Sequence, residues 1–429
     1  MRRSGDIFPF YPAHMTDRFL VLLLVVVALL FPGQAAAQAE GRAPITILVA
    51  LDGFRPDYLH RGHSPRLDAL AAAGVSAPMR PSFPTKTFPN HWTIVTGLRP
   101  DRHGIVANRM EDPARPGEIF TMASDDPFWW SIAPPIWVDA ERAGIRTASM
   151  FWPGADVAWG GARAADWPHA TAGGVRPQDW QRFAIAVSDT QRVNTVLDWL
   201  RRPAAIRPRF VTLYFDAVDT AGHHYGPRDP RTAASVTQVD RAVAMLVDGL
   251  RELDQPANLV IVADHGMAET SRTRIIPLDR IAPPSDYRAI ESGPYAALEP
   301  RPGREAALAA ALLRPHPHMQ CWRREAIPAR LHYGANPRIP SFICLAEPGW
   351  LVLSNLGAST RDRGAHGYDP EAPDMAALFI ASGPAFRRGM ALPAFDNVHV
   401  YPLLARLLGL PGQPGDGDPA MLAPALAAR

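Results

Sequence analysis

Lysine is almost missing from this chain of 429 residues: of its 44 basic side chains, only Lys86 is not an arginine. With the abundant Ala and Pro, the skew reads as the mark of a GC-rich, bacterial genome, and it singles out the retained Lys86. A net charge is nearly missing as well. The formal balance is +2, which leaves no general basic field, so nucleic acid is not an expected partner. Cysteine is scarce. Cys321 and Cys344 stand alone, without the spacing or neighbours of a metal site. In an exported protein two cysteines invite a single disulfide, and free buried thiols are the alternative. Long apolar runs are also lacking. The 13 residues from Phe19 to Phe31 fall short of the ~20 that span a bilayer, and nothing after them is as apolar.

That one run reads as an export signal. Arg18 precedes it, small residues follow, and Ala37-Gln38-Ala39 forms a cleavage box. Residues 1–39 are therefore expected to be a signal peptide, with Met15 as an alternative start and an uncleaved anchor as the alternative fate. No cysteine lies near the cleavage box, which argues against a lipoprotein. The expectation is a bacterial protein that is periplasmic or secreted and has no stable membrane span after cleavage.

An apolar fraction of 47% supports a substantial core. Buried-strand patterns run from Thr46 to Leu51, Phe210 to Phe215, Leu259 to Ala263 and Met375 to Ala381. Helical patterns lie between them. One begins at Ser64-Pro65 and stops at Gly74, and another runs from about Thr232 to Leu253 with Val236, Val239, Val243, Leu246 and Leu250 on one face. Alternating strands and helices predict an α/β fold, with a mostly parallel central sheet flanked by helices on both faces. The catalytic domain is expected over 40–410. Within it, about 270–350 is rich in Pro and Arg and weakly periodic, and reads as an insertion or small subdomain. The Gly-, Pro- and Ala-rich stretch 411–429 is expected to be a flexible tail.

Sites in such sheets form at the carboxyl ends of strands. Asp52 and Asp264 fall at those ends, and Asp219 follows a strand by a short loop. Asp219 and His223 are four apart, a spacing that puts both on one face of a helical turn. Asp264-His265-Gly266 and Gly364-Ala-His366-Gly367 complete three histidine-bearing motifs. Three carboxylates and three imidazoles make a ligand list for two divalent ions such as zinc. Asp216 is a rival to Asp219, and Asp240 could support the site from outside. Thr87 precedes a helical pattern, Trp92-Thr-Ile-Val-Thr96. A helix N-terminus favours an anion, and a nearby cation makes a hydroxyl a better nucleophile; the alternative is that Thr87 only caps the helix.

These residues lie in a series of motifs: LDGFRPDYL (51–59), PTKTFPNHW (84–92), TGLRPDRHGIVANRM (96–110), PFWW (127–130), PPIWV (134–138), FWPG (151–154), VDTAGHHYGP (218–227), ADHGM (263–267) and GAHGYD (364–369). In that order they resemble the nucleotide pyrophosphatase/phosphodiesterase family of the alkaline phosphatase superfamily, in a compact bacterial form. The resemblance implies two zinc ions, one held by Asp219, His223 and His366 and the other by Asp52, Thr87, Asp264 and His265. It implies Thr87 as nucleophile, Asn108 as the amide that holds a phosphate oxygen, and Phe88 with Tyr214 as an aromatic pair sandwiching a nucleobase. Lys86, beside the nucleophile, is expected to meet a phosphate oxygen or the distal end of the substrate. His91, His103 and the tryptophans Trp129, Trp130, Trp137 and Trp152 are expected to be mainly structural.

The implied activity is hydrolysis of nucleotide diesters and pyrophosphates to nucleoside 5′-monophosphates through a covalent threonine intermediate. A phosphomonoesterase or phosphonate hydrolase, a lysophospholipid phosphodiesterase and an inactive binding protein are the alternatives.

Overall fold

A computed structural model of the protein describes residues 41–354 and 362–428. The expected export signal lies outside the described residues. Among those described, no helix is long and apolar enough to cross a membrane.

The main sheet contains β1 (Ile45–Leu51), β2 (Val75–Arg80), β3 (Thr147–Met150), β4 (Asp179–Gln181), β5 (Phe210–Phe215), β6 (Ala257–Val262), β7 (Ala377–Ser382) and β8 (Met390–Ala391). Their order is β8-β2-β7-β6-β1-β5-β3-β4, with Phe395–Asp396 also pairing with β2. β1 runs parallel to β5 and β6, and β5 to β3, whereas β7 runs against both β6 and β2. Every residue of β1 and β5 is buried. A strand of ITILVAL composition is stable there because both faces of the sheet are covered. The cover comes from α1 (Pro65–Ala73), α2 (Thr87–Thr96), α3 (Asp189–Arg201), α4 (Ala217–Tyr225), α5 (Pro230–Glu252) and α6 (Val400–Leu408). α1 and α3 pack on α5 in one group, and α2 packs on α6 in another.

Register sets the site. Leu51 lies opposite Phe215 and Ala50 opposite Val262, so β1, β5 and β6 end together. Asp52, the segment after Phe215 and Asp264 therefore leave the sheet at one edge, as the strand pattern predicts.

α1 starts at Pro65 as expected, but its cap is not the Ser64 side chain. Asp240 of α5 accepts hydrogen bonds from the backbone N–H groups of Leu67 at 2.8 Å and Arg66 at 3.2 Å. A carboxylate at a helix N-terminus satisfies donors the helix cannot. Asp240 thus ties two helices together.

Within 270–350, Tyr287–Glu291, Tyr295–Pro300, Phe342–Ala346 and Met319–Arg323 form, in that spatial order, an antiparallel four-stranded sheet. It has its own core around Leu298, Leu308, Leu312 and Phe342. Cys321 and Cys344 face each other across two of its strands and are disulfide-bonded. The weak periodicity has a physical source: the edge strand Met319–Arg323 buries only Met319 fully.

The stretch 411–428 departs from the expectation of a flexible tail. Leu422 and Ala425 are buried in the main core. Gln413 donates to both carboxylate oxygens of Asp139, at 2.8 and 2.7 Å, and Asp416 accepts from the backbone N–H of Arg99 at 2.8 Å. Proline and glycine here shape turns that deliver a few apolar and charged anchors to the body. Composition alone suggested looseness because it ignores where those anchors land.

Candidate metal and phosphate site

The six metal-ligand candidates come together in two groups. Asp219, His223 and His366 form one, and Asp52, Asp264 and His265 the other; within each, ligand-type atoms lie within 4.8 Å of one another. Asp219 and His223 sit on α4, one turn apart, as their spacing predicts. Asp216, the rival, is instead bonded to the buried guanidinium of Arg192 at 2.8 Å. Two glycines allow the close approach. Gly53, at φ +67°, brings β1's end against Asp219, where a Cβ would lie 3.0 Å from the Asp219 backbone. A Cβ on Gly364 would lie 2.4 Å from the Gly222 carbonyl of α4.

Each imidazole is oriented the same way. The Nδ1 of His223, His265 and His366 faces a backbone carbonyl, that of Gly364 at 2.9 Å, Gly266 at 2.9 Å and Thr85 at 2.8 Å respectively. A carbonyl only accepts, so Nδ1 carries the proton and Nε2 presents its lone pair to the centre. There it meets carboxylate oxygens. His265 Nε2 lies 2.9 Å from Asp264 Oδ2 and 3.5 Å from Asp52 Oδ1, and His223 and His366 Nε2 lie 3.5 and 3.6 Å from Asp219 Oδ1. Those three oxygens are buried and have no hydrogen-bond partner. Lone pair against lone pair is repulsive unless a proton or a metal cation stands between. The donor set therefore fits two divalent ions, one per group.

The electrostatics agree. Burial, then repulsion from Asp264 and Asp219, pushes the Asp52 carboxyl well above the usual carboxylate range. Burial, then Asp219, does the same to Asp264. His366 is held well below its usual value by burial and by neighbouring His265, so it stays neutral and able to ligate. A cluster this costly without positive charge marks a functional site.

Thr87 is the first residue of α2, with Lys86 at the N-cap. Its hydroxyl oxygen lies 3.3 Å from His265 Nε2, which places it beside the Asp52–Asp264–His265 group. The loop before it is held by Asn90, whose amide donates to the carbonyls of Pro84 at 3.0 Å and Lys86 at 2.9 Å. His91, one turn along α2, directs Nδ1 at the Thr87 carbonyl, 2.9 Å away, and lies 3.5 Å from Asp264 Oδ2. Burial lowers the His91 pKa to about 3, so the ring is neutral. Asn108 accepts the Phe88 backbone N–H at 2.9 Å through Oδ1. The Lys86 stem runs against Gly367, and its ammonium lies 6.0 Å from the centre of the Tyr295 ring.

The two rings of the expected aromatic pair differ in their surroundings. Phe88 is half-buried and packs on Phe120 and Trp130. Tyr214 is buried, its ring against His91 and Phe183, and its hydroxyl donates to Asp52 Oδ2 at 2.6 Å. Phe183, 44% exposed, packs edge-on against Tyr214, and no motif marked it. Trp129, Trp130, Trp137 and Trp152 are core residues, as expected. His103 is buried and bonded to Thr93. Asn90, His91 and Thr85 were not assigned site roles from the sequence, although all three lie inside the PTKTFPNHW motif that carries Thr87.

The comparisons with known proteins converge on one family. The type I phosphodiesterase / nucleotide pyrophosphatase family matches residues 46–369. The bis(5′-adenosyl)-triphosphatase enpp4 of Xenopus laevis is 38% identical over 379 residues, covering 87% of this chain and 80% of that protein. Ectonucleotide pyrophosphatase/phosphodiesterase family member 1 of Mus musculus is 36% identical over 397 residues, 89% of this chain but 42% of its own length. Among solved structures, murine ectonucleotide pyrophosphatase/phosphodiesterase 5, an inactive threonine-to-alanine variant in complex with AMP, superposes with a TM-score of 0.83 at 32% identity, covering 90% of this chain and 100% of that one. Human family member 5 gives the same TM-score of 0.83 at 33% identity, covering 90% of this chain and 100% of that one. This chain is a phosphodiester hydrolase and belongs to the type I phosphodiesterase / nucleotide pyrophosphatase family.

Proposed function

We propose that the protein is a dizinc enzyme that cleaves nucleotide diesters and pyrophosphates to nucleoside 5′-monophosphates through a covalent intermediate on Thr87. One observation carries the reading: the Thr87 hydroxyl stands at a helix N-terminus, 3.3 Å from the ligand atom of His265. When bound, divalent ions supply the positive charge that acidifies a hydroxyl and offsets charge on phosphate oxygens. Asp219, His223 and His366 would hold one, and Asp52, Asp264 and His265, with Thr87, the other.

The chain's own groups do the rest. Thr87 Oγ1 attacks phosphorus, forming a Thr–O–P bond as the ester or anhydride oxygen departs with its electron pair. Water then breaks that bond, returning the threonine and releasing the monophosphate. The Asn108 amide donates to a non-bridging oxygen. Phe88 and the exposed Phe183 offer the nucleobase its platform, with Tyr214 packed edge-on against Phe183. Lys86 meets a phosphate oxygen or the distal end of the substrate. The AMP complex of the murine relative supports a nucleotide substrate. The predicted signal over residues 1–39, with the Cys321–Cys344 disulfide, supports action outside the cytoplasm.

The test is kcat/KM on a nucleotide diester, a phosphate monoester and a lysophospholipid, measured side by side. The nucleotide diester should lead. A lead for either of the others would overturn the substrate assignment.

A further inference from the structure

Each ligand carboxylate of the Thr87-side group divides its labour between its two oxygens. Asp264 Oδ1 accepts from the Gly53 backbone N–H at 3.2 Å, leaving Oδ2 unpartnered. Asp52 Oδ2 accepts from the Tyr214 hydroxyl at 2.6 Å, leaving Oδ1 unpartnered. Asp264 is thus set by backbone, while Asp52 depends on one side chain from the neighbouring strand.

That side chain is itself held. Tyr214 lies on β5 opposite Ala50 of β1, so its ring stands beside the strand end that carries Asp52. The ring packs edge-on against His91 at 5.3 Å, and His91 is fixed by the Thr87 carbonyl. The Tyr214 carbonyl accepts from buried Arg192 at 3.1 Å. The hydroxyl therefore engages Asp52 Oδ2 from a ring that is itself held, and Asp52 Oδ1 is the oxygen left facing His265 Nε2, 3.5 Å away.

We propose that Tyr214 is a positioning residue for the metal ion of the Asp52–Asp264–His265 group, acting through its hydroxyl on Asp52 and not as a surface for the nucleobase. The inference rests on the two-ion reading above. Outer hydrogen bonds to ligands commonly contribute 10–100-fold in metal affinity, and here the bond also makes Asp52 a one-oxygen ligand. A ring as buried as that of Tyr214 has little face to offer a base.

The test is zinc release from the holoenzyme to a chromophoric chelator, for wild type and Tyr214→Phe. The substitution keeps the ring and removes only the hydroxyl. One of the two ions should be lost about 10–100-fold more readily, the other should be held as before, and KM for a nucleotide diester at saturating zinc should stay at the wild-type value. A variant that holds both ions like the wild type overturns the inference, as does one that raises KM while leaving zinc untouched. A wild type that never holds two ions contradicts the two-ion reading instead, so the two failures are distinguishable.

Discussion

The backbone N–H of Phe88 donates to Asn108 Oδ1 at 2.9 Å. That bond fixes which way the amide faces. Its oxygen is taken up beside the nucleophile, so its NH2 group is the end free to turn toward an oxyanion.

Asn108→Ala is expected to lower kcat by about 10²–10³-fold, the scale of one lost oxyanion donor. Asn108→Asp should do no better, because it keeps the acceptor for Phe88 but replaces the donor with negative charge. Steady-state kinetics on a nucleotide diester decide the matter: a loss confined to KM contradicts the role.

Thr87→Ala should remove nearly all turnover while leaving melting temperature close to wild type and, at saturating zinc, both ions bound by the remaining ligands. Thr87→Ser should retain part of the rate, since it restores the hydroxyl. A substantial rate in the alanine variant would mean that water attacks phosphorus directly.

Zinc affinity should rise with pH. Without metal, burial holds the Asp52 and Asp264 carboxyls well above the usual carboxylate range. Their protons must leave before the oxygens ligate, so a falling pH competes with the metal. Calorimetric titration of the apoprotein in buffers of different ionisation enthalpy should show net proton release on zinc binding. Zero release across that series contradicts the assignment.

The histidine motifs were legible because each is local: a few consecutive residues carry both the ligand and the turn that aims it. Asp219 and His223 needed only helical periodicity. The Tyr214–Asp52 hydrogen bond was not legible because the two residues are 162 positions apart, and only the β1–β5 register brings them together. Phe183 was invisible because a single exposed ring on an irregular segment leaves no pattern. The parallel sheet could be read from its continuous apolar strands. The four-stranded antiparallel sheet within 270–350 could not, since its strands are short and its edge strand is largely half-buried or exposed.

Lys86 should not be replaceable by arginine. Its stem runs past Gly367, where a Cβ would lie 2.9 Å from Lys86 Cε, and a broad planar guanidinium does not make the same contacts as a compact ammonium. Lys86→Arg is expected to lower kcat/KM, and Lys86→Met to cost about 1–3 kcal/mol of transition-state binding, the scale of a charge-assisted hydrogen bond. Wild-type kinetics in both variants would assign Lys86 to solvent.

The stereochemical course at phosphorus tests the central claim most directly. A nucleoside phosphorothioate diester of known configuration is hydrolysed in water enriched in a heavy oxygen isotope, and the configuration of the isotopically chiral phosphorothioate product is determined. Two successive in-line displacements, first by Thr87 and then by water, each invert phosphorus, so the account predicts overall retention. Inversion would show a single direct attack by water and would contradict a covalent intermediate on Thr87.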